Sequence, residues 1–311
     1  MVMKYYIGNT DKDWYDFLKK LSPDDINFWQ PGGSSIFQVL QPGAPFLFRL
    51  KSPINKIAGV GFFTSSSILP LNYAWEVFQE GNGVKNYQTF YNKINGYRKL
   101  SLKDNPNIGC IVLSNPIFFD ENDWIQVPNG WPSSAVQGKS YSTDNIDGLE
   151  YWNKILDIIM KYSKPDIKTE PIVLEDPLGP RYTQRISNMR IGQAGFRVIV
   201  TDAYTRRCAI SGERTLPVLE AAHIRPYSDE GPNRTDNGLL LRSDLHKLFD
   251  DGYITISDTY NVEVSKRIKE EFNNGGDYYK YHGQKLIILP KTIYDQPSKD
   301  FLRWHNENVY R

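Results

Sequence analysis

The sequence is poor in the features that mark secreted and membrane-bound proteins. Only two of its 311 residues are cysteines, Cys110 and Cys208, which excludes a disulfide framework and a four-cysteine zinc site. No apolar run approaches the ~20 residues that cross a bilayer. The first residues also lack the apolar stretch of a signal peptide. These absences predict a soluble cytoplasmic protein in a reducing compartment, without a membrane partner.

An excess of charge of one sign is also lacking. The chain has 37 basic and 36 acidic residues, and neither the first 160 residues nor the remainder is basic overall. Binding of nucleic acid through bulk positive charge is therefore not indicated, and such contacts would have to come from local basic groups. The hydrophobic content of 40% supports ordinary cores and excludes a disordered chain.

Prolines mark a boundary in the middle of the chain. Residues 152–162 carry apolar side chains at helical spacing, which predicts a helix that closes a first domain. Four prolines follow within eighteen residues: Pro165, Pro171, Pro177 and Pro180. This density excludes a helix interior or a central strand and predicts an extended linker. We therefore predict three segments: a first domain over 1–162, a proline-rich linker over 163–184 and a second domain over 185–311.

The first domain alternates short apolar strands with turns and helices. The predicted elements are two strand pairs, 45–50 with 57–63 and 110–113 with 117–119, and two helices, 11–21 and 73–79. Strands with interspersed helices predict a small α+β or barrel-like domain.

Aromatic side chains are dense in this domain, and most are expected in its core. Residues 27–33, Asn-Phe-Trp-Gln-Pro-Gly-Gly, differ because their context is rich in glycine and proline and resembles a loop. A ring beside amides could stack there on a flipped-out base and hydrogen-bond its edge. The alternative is a loop that folds back onto the domain. The candidate base-reading residues are Phe28, Trp29, Gln30, Tyr73 and Trp75.

The order of these segments and their aromatic content resemble the PUA-type superfold, over roughly residues 1–155. This grouping includes EVE, ASCH and SRA domains, several of which read modified nucleobases. The resemblance implies an N-terminal PUA-like β-barrel with helices. It also implies that this domain reads a modified base in DNA, with methylated or hydroxymethylated cytosine as the first candidates.

The second domain contains all four histidines of the chain. A strand predicted over 217–224 places His223 near its end, and a second strand is predicted over 238–241. Ser243 is suited to cap a helix that runs through Asp250. The sequence thus predicts a strand–loop–strand–helix unit.

The polar residues of this unit suit phosphodiester hydrolysis. His246 and Asp250 lie four apart on the predicted helix, so both project from one face and could bind a divalent ion. His223, whose ordinary pKa is ~6.5, could deprotonate a water. The amide of Asn237 would brace the loop or the orientation of His223. Ligation by His and Asp suits Mg²⁺ or Mn²⁺ first, and Zn²⁺ or Ni²⁺ as well.

Each of these residues also has a simpler structural explanation. His246 could be a surface histidine near a helix C-terminus, and Asp250 a residue of the following turn. Asn237 precedes a glycine, which is a strong turn signal. His223 could be a buried histidine of the core. All four explanations would have to coincide at this one spacing.

The spacing resembles that of the HNH, or ββα-metal, nucleases, with His223, Asn237 and His246 at the three named positions. Asp250 falls where many members place a second metal ligand. The flanks, residues 190–198 and 204–212, resemble the approach helix and turn of restriction-type HNH proteins. The resemblance spans about residues 185–310 and implies a C-terminal ββα-metal domain with metal-dependent DNA endonuclease activity.

Two features depart from the family pattern. Many members have a metal ligand immediately before the catalytic histidine, where this chain has Ala222. The nearest acid is Glu220, which strand alternation places on the face opposite His223. We expect an ion with fewer protein ligands rather than a bulge that brings Glu220 to it. The turn after Cys208 also lacks the second cysteine of a zinc ribbon, so no structural zinc is expected.

Basic residues around the motif are expected to contact DNA phosphates. Arg225, Arg242 and Lys247 are the first candidates. Further arginines nearby are Arg206, Arg207, Arg214 and Arg234, of which the last two are most simply explained as solvated surface charges.

Together the two resemblances imply a modification-dependent restriction endonuclease that acts on double-stranded DNA in defence against phage. A single active site cuts one strand, so a double-strand break needs a homodimer or two binding events. One alternative keeps the nuclease but gives the first domain phosphorothioate, a damaged base or RNA to recognise. Another is a non-catalytic DNA-binding module with an HNH fold.

Overall fold

The computed structural model describes residues 2–99, 101, 104–132, 134–162 and 192–311. These residues form two compact units, the second of which begins at Gly192. The predicted linker over 163–184 lies outside the described residues, as do the first seven residues of the predicted second domain. None of the helices in the described ranges has both the length and the apolar character that crossing a bilayer requires.

The first unit is built around one sheet, which has seven strands in the described part of the chain. The strands are β1 (Lys4–Thr10), β2 (Asp25–Gln30), β3 (Pro45–Leu50), β4 (Lys56–Pro70), β5 (Asn107–Phe118), β6 (Ile125–Gln126) and β7 (Gly138–Ser142). Their order is β2-β5-β4-β3-β1-β7, and β6 pairs with the start of β4. β1 and β3 run parallel, whereas the other pairs are antiparallel.

Helices of the first unit pack against this sheet. They are α1 (Lys12–Leu21), α2 (Leu71–Phe78), α3 (Tyr87–Arg98) and α4 (Ile146–Tyr162). The predicted hairpin at 45–63 is confirmed by the β3–β4 pair, and the two predicted helices by α1 and α2. The helix predicted over 152–162 is the C-terminal part of the longer α4.

The strand pair predicted at 110–113 and 117–119 is wrong. These residues, apart from the last, form the single strand β5. Asn115 has a φ of 49° there, and the register between β4 and β5 shifts next to it. The irregularity bends the strand without ending it. Pro116 lies at this bulge, which is one of the few places where a strand tolerates proline.

The two ends of the sheet lie close together, as in a barrel, although the ladders of the described residues form an open path. Phe28 on β2 packs against Phe46 on β3, with ring centroids 4.6 Å apart. Gln30 on β2 reaches Gln137 just before β7, with 3.5 Å between Nε2 and Oε1. The interior of the curled sheet is lined mainly by buried aromatic rings, among them Trp14, Phe28, Phe46 and Phe48.

The second unit contains two hairpins and several short helices. Its strands are β8 (Leu219–His223), β9 (Gly238–Arg242), β10 (Ile254–Ile256) and β11 (Val262–Val264). Its helices are α5 (Gln193–Ala203), α6 (Ser243–Asp250), α7 (Arg267–Phe272), α8 (Gly276–Tyr279) and α9 (Lys299–Asn308). β8 pairs with β9 and β10 with β11, both antiparallel. The predicted strand–loop–strand–helix order is confirmed, except that Ser243 is the first residue of α6 and Arg242 takes the capping position.

The hairpin formed by β8 and β9 is fixed in place by the burial of its apolar side chains. Leu239, Leu240 and Leu241 on β9 are fully buried, so both faces of that strand are covered. Gly238 permits α5 to approach closely, because a Cβ there would lie 2.4 Å from Cγ2 of Val200. The β8–β9 hairpin is therefore packed against α5 as well as against α6.

Candidate active site

His223 is the last residue of β8 and is held by two contacts. Its ring stacks on Phe196 of α5, with centroids 3.8 Å apart and an angle of 11° between the planes. Its Nε2 lies 2.7 Å from Oδ1 of Asn233 in the loop between β8 and β9. Burial lowers the pKa of His223, and the hydrogen bond with Asn233 acts in the opposite direction. The neutral imidazole that a general base requires is therefore favoured near neutral pH.

Asn237 is fully buried and bridges the loop that follows β8. Its Oδ1 accepts a hydrogen bond from the backbone N–H of Arg225 at 2.9 Å. Its Nδ2 donates to the carbonyl oxygens of Arg225 and Pro232, each at 2.9 Å. The amide thus joins the two sides of the loop and has no direct hydrogen bond to His223 among these contacts.

His246 and Asp250 project from one face of α6, as their spacing predicts. His246 Nε2 lies 3.3 Å from Oδ2 of Asp250. On the other side of the ring, Nδ1 lies 2.6 Å from Oε2 of Glu220 on β8. The register of β8 and β9 has no bulge, so Glu220 reaches His246 from a regular strand. Partial burial raises the pKa of Asp250, which the charge of His246 opposes.

The donor set of His246 and Asp250 fits a divalent cation. A neutral His246 that donates its Nδ1–H to Glu220 keeps a lone pair on Nε2. That lone pair and the Asp250 carboxylate then face each other as two acceptors, an arrangement that a cation between them would stabilise. Within the described ranges, no group of three or more His, Cys, Asp or Glu side chains forms a metal site.

The three predicted DNA-contacting residues all have partners within the chain. Arg225 donates from Nε to the carbonyl of Asp229 at 2.6 Å. Arg242 forms two hydrogen bonds to Asp244, at 2.6 and 2.7 Å, which raise the pKa of its guanidinium. Lys247 is 72% exposed and pairs with Asp251 one turn further along the helix. Contact with DNA phosphates would therefore compete with these partners.

The first unit has a cavity of about 190 Å³, which we call the first-unit cavity. This is below the ~300 Å³ at which pockets for drug-sized ligands begin, and it suits a smaller, flat group. Aromatic side chains that line it are Trp14, Phe28, Trp29 and Tyr97. Polar side chains that line it are Asn9, Thr10, Asp11, Gln30, Lys51 and Gln137.

Charged and amide groups in this cavity have defined contacts. Lys51 pairs with Asp11 at 2.8 Å. Burial alone would lower the pKa of Lys51, but the hydrogen bond and charge of Asp11 outweigh it, and the pKa is raised. Asn9 is engaged with backbone carbonyls and with Arg49, which leaves the amides of Gln30 and Gln137 as the more adaptable groups.

The predicted base-reading residues separate into two groups. Phe28, Trp29 and Gln30 line the first-unit cavity. They lie in β2, so the prediction of a loop at this point is wrong for all but the Pro-Gly-Gly that follows. Tyr73 and Trp75 belong to α2 and do not line this cavity. Tyr73 is buried, and the ring of Trp75 packs against α3.

Several residues of both sites were missed by sequence reasoning. Asn233 and Phe196 contact His223, whereas Asp11, Lys51 and Tyr97 line the cavity. No spacing signal joins Asn233 to His223, because the loop between them has no regular period. Asp11 and Lys51 directly follow two strands that pair in parallel, so their side chains lie side by side. A prediction of this parallel pair from the sequence would have located them.

With this geometry established, comparison with known proteins identifies the second unit. Residues 208–257 match the HNH_2 family model, described as HNH endonuclease. The second unit carries an HNH endonuclease domain. The matched stretch includes β8, β9 and α6, and with them all four motif residues. The predicted nuclease domain is therefore confirmed, and HNH endonucleases generally use a divalent metal ion.

Solved structures show two further likenesses. An ASCH protein from Zymomonas mobilis is similar over 37% of this chain and 73% of its own, with 10% identity and a TM-score of 0.26. The modification-dependent restriction endonuclease TagI is similar over 93% of this chain and 76% of its own, with 14% identity and a TM-score of 0.28. At these low TM-scores, neither likeness supports a conclusion about the fold or the function of either unit. No curated protein matches the chain.

Proposed function

We propose that the chain is a modification-dependent DNA endonuclease. The first unit binds a modified base of double-stranded DNA, with methylated or hydroxymethylated cytosine as the first candidates. The HNH domain hydrolyses phosphodiester bonds nearby. The observation that carries the nuclease part of this proposal is that one HNH domain combines a histidine at a strand end, whose pKa is lowered by burial, with a His/Asp pair on the adjoining helix.

His223 acts as the general base. Its imidazole takes a proton from a water molecule, whose oxygen bonds to phosphorus while the bond from phosphorus to the leaving oxygen breaks. The leaving oxygen takes a proton from solvent. Positioned proton transfer of this kind contributes about 10²- to 10⁴-fold to the rate. Asn237 holds the loop beside His223, and Arg225, Arg242 and Lys247 contact DNA phosphates.

His246 and Asp250 would hold the divalent ion, with Mg²⁺ or Mn²⁺ as the first candidates. When bound, the ion supplies positive charge to the phosphate and the leaving oxygen. Glu220 contributes by keeping a hydrogen on Nδ1 of His246, so that Nε2 faces Asp250.

The first-unit cavity supports the base-reading part of the proposal. Its aromatic walls offer surfaces for stacking, and its carboxylate, ammonium and amide groups can hydrogen-bond the edge of a base. Recognition of a flipped-out base requires both kinds of group in one pocket, rings that stack on it and polar groups that hydrogen-bond its edge.

Cleavage of matched duplexes tests the proposal. The duplexes differ only in one position, which carries cytosine, 5-methylcytosine, 5-hydroxymethylcytosine, a damaged base or a phosphorothioate linkage. We expect cutting with Mg²⁺ or Mn²⁺ to depend on a modified cytosine. His223→Ala should reduce the cutting rate at least about 100-fold, because it removes the base.

His282→Ala is the matched control, since this histidine of the same unit is exposed and its ring Nδ1 accepts a hydrogen bond from the backbone N–H of Val264. It should cut at the wild-type rate. Equal cutting of all duplexes would overturn the role of the first unit. Full activity of His223→Ala would overturn the assignment of the base.

A further inference from the structure

The hydrogen bond between His223 and Asn233 determines which ring nitrogen is available to accept a proton. An amide oxygen only accepts hydrogen bonds, and Oδ1 of Asn233 lies 2.7 Å from Nε2. In the neutral ring Nε2 must therefore carry the hydrogen, which leaves the lone pair on Nδ1. We propose that Asn233 is a positioning residue that fixes this tautomer and so makes Nδ1 the atom that removes the proton from water. This inference rests on the proposed role of His223 as general base.

Phe196 restricts the same ring in a second way. Its ring lies parallel to the imidazole at 3.8 Å and so fixes the plane of His223. Within that plane, a half-turn of the imidazole would exchange Nδ1 with a ring carbon and break the bond to Asn233. The stack and the hydrogen bond together leave one orientation of the ring.

The loop explains how Asn233 itself is held. The carbonyl oxygen of Pro232, the residue before it, accepts a hydrogen bond from Nδ2 of Asn237 at 2.9 Å. Asn237 is buried and also binds both backbone groups of Arg225, close to the end of β8. Asn237 is therefore linked to His223 in two ways, through the backbone at the end of β8 and through Pro232 and the side chain of Asn233.

Glycine is required at another point of this loop. Gly231 donates its N–H to the carbonyl of Pro226 at 2.9 Å. A Cβ at Gly231 would lie 1.8 Å from the carbonyl oxygen of Arg225. The loop is thus packed tightly against its own backbone two residues before Asn233, which supports a fixed rather than an adaptable position for the amide.

The tautomer of His223 is measured directly by NMR of the full chain with ¹⁵N-labelled histidine, without metal or DNA. Long-range ¹H–¹⁵N spectra distinguish the nitrogen that bears hydrogen from the one that does not, and His→Gln variants assign the four rings. We expect hydrogen on Nε2 of His223. Hydrogen on Nδ1 would mean that the Asn233 amide donates instead, and it would overturn the proposal.

Two substitutions separate positioning from a merely structural role. Asn233→Leu removes the acceptor at similar size, so both tautomers should become populated and kcat should fall roughly 2- to 13-fold with little change in KM. Asn233→Asp keeps the acceptor and the tautomer but adds negative charge, which favours the imidazolium. The acid limb of its pH–rate profile should therefore move to higher pH.

The outcomes distinguish this inference from the proposed function. An inactive His223→Ala variant, together with an Asn233→Leu variant of wild-type tautomer and kcat, would refute the role of Asn233 alone. An active His223→Ala variant would refute the general base itself. An Asn233→Asp variant with an unshifted pH–rate profile would likewise contradict the role of Asn233. Hydrogen exchange over residues 224–237 verifies that each variant keeps the loop.

Discussion

Tyr97 differs from the other rings around the first-unit cavity in its exposure. It is 55% exposed, whereas Trp14 and Phe28 are buried. Its ring meets that of Trp29 edge-on at 6.3 Å, and its hydroxyl interacts with Lys51. A ring that is packed on one side and open on the other can stack on a ligand without disturbing the core.

We expect Tyr97→Ala to weaken binding of a duplex with the preferred modification by roughly 5- to 150-fold, the range that corresponds to loss of one stacking contact. Tyr97→Phe keeps the ring and should bind nearly as the wild type does. Fluorescence anisotropy with labelled duplexes measures the dissociation constants, at one fixed salt concentration because DNA binding depends steeply on salt. An unchanged dissociation constant for Tyr97→Ala, or an equal loss for unmodified DNA, would contradict a role in base reading.

At the scale of elements, β8 is the part that connects the two helices of the active site. His223 at its end contacts α5 through Phe196, and Glu220 contacts α6 through His246. This five-residue strand thus holds the proposed general base against α5 and contacts one proposed metal ligand on α6. Removal of the hydrogen bond between His246 and Glu220 should therefore weaken metal binding without changing the contacts of His223.

We expect Glu220→Gln to weaken Mn²⁺ binding by about 10- to 100-fold, the usual cost of losing the hydrogen-bond partner of a metal-binding histidine. Isothermal titration calorimetry of the full chain measures the affinity without dependence on DNA cleavage. Glu263→Gln on β11 is the matched control and should bind as the wild type does. Wild-type affinity of Glu220→Gln would show that this carboxylate does not orient the ligand.

The sequence predicts an arrangement of side chains well when the residues that determine it lie close together along the chain. His223, Asn237, His246 and Asp250 lie in a hairpin and the helix that follows it, so spacing along the chain predicts their arrangement. The sequence around Trp29 predicts a loop where the structure has β2, because polar and aromatic side chains obscure the apolar alternation of the strand. Two of their donors bond to buried Asn82, far along the chain, which accepts from the Trp29 indole at 3.0 Å and from Nδ2 of Asn27 at 2.8 Å.

The site residues that the sequence does not predict make contacts that depend on an irregular loop or on distant parts of the chain. Asn233 contacts His223 because of the conformation of an irregular loop, and Tyr97 reaches the first-unit cavity because α3 packs beside β2. Neither contact follows from periodicity or from a motif. Strand alternation predicts that Glu220 lies on the face of β8 opposite His223. Its Oε2 lies 2.6 Å from Nδ1 of His246, so it contacts the proposed metal-binding pair directly.

For the whole molecule, the sequence provides one HNH motif for each chain. We expect a supercoiled plasmid with modified cytosines to be nicked first and linearised later, because one active site cuts one strand. The rate of linearisation should rise more steeply with protein concentration than the rate of nicking, since a second chain or a second binding event is needed. Gel analysis of the time course at several concentrations measures both rates. Linear product formed at once, at a rate proportional to concentration, would contradict this prediction.

The walls of the first-unit cavity come from distant parts of the chain, with Gln30 on β2 and Gln137 just before β7. By contrast, His223 and Asp250 belong to one short stretch of the sequence. Long-range strand pairing forms slowly compared with a local hairpin and helix. When the unfolded full chain refolds, the β8–β9 hairpin and α6 should therefore regain their native structure before the distant walls of the first-unit cavity come together.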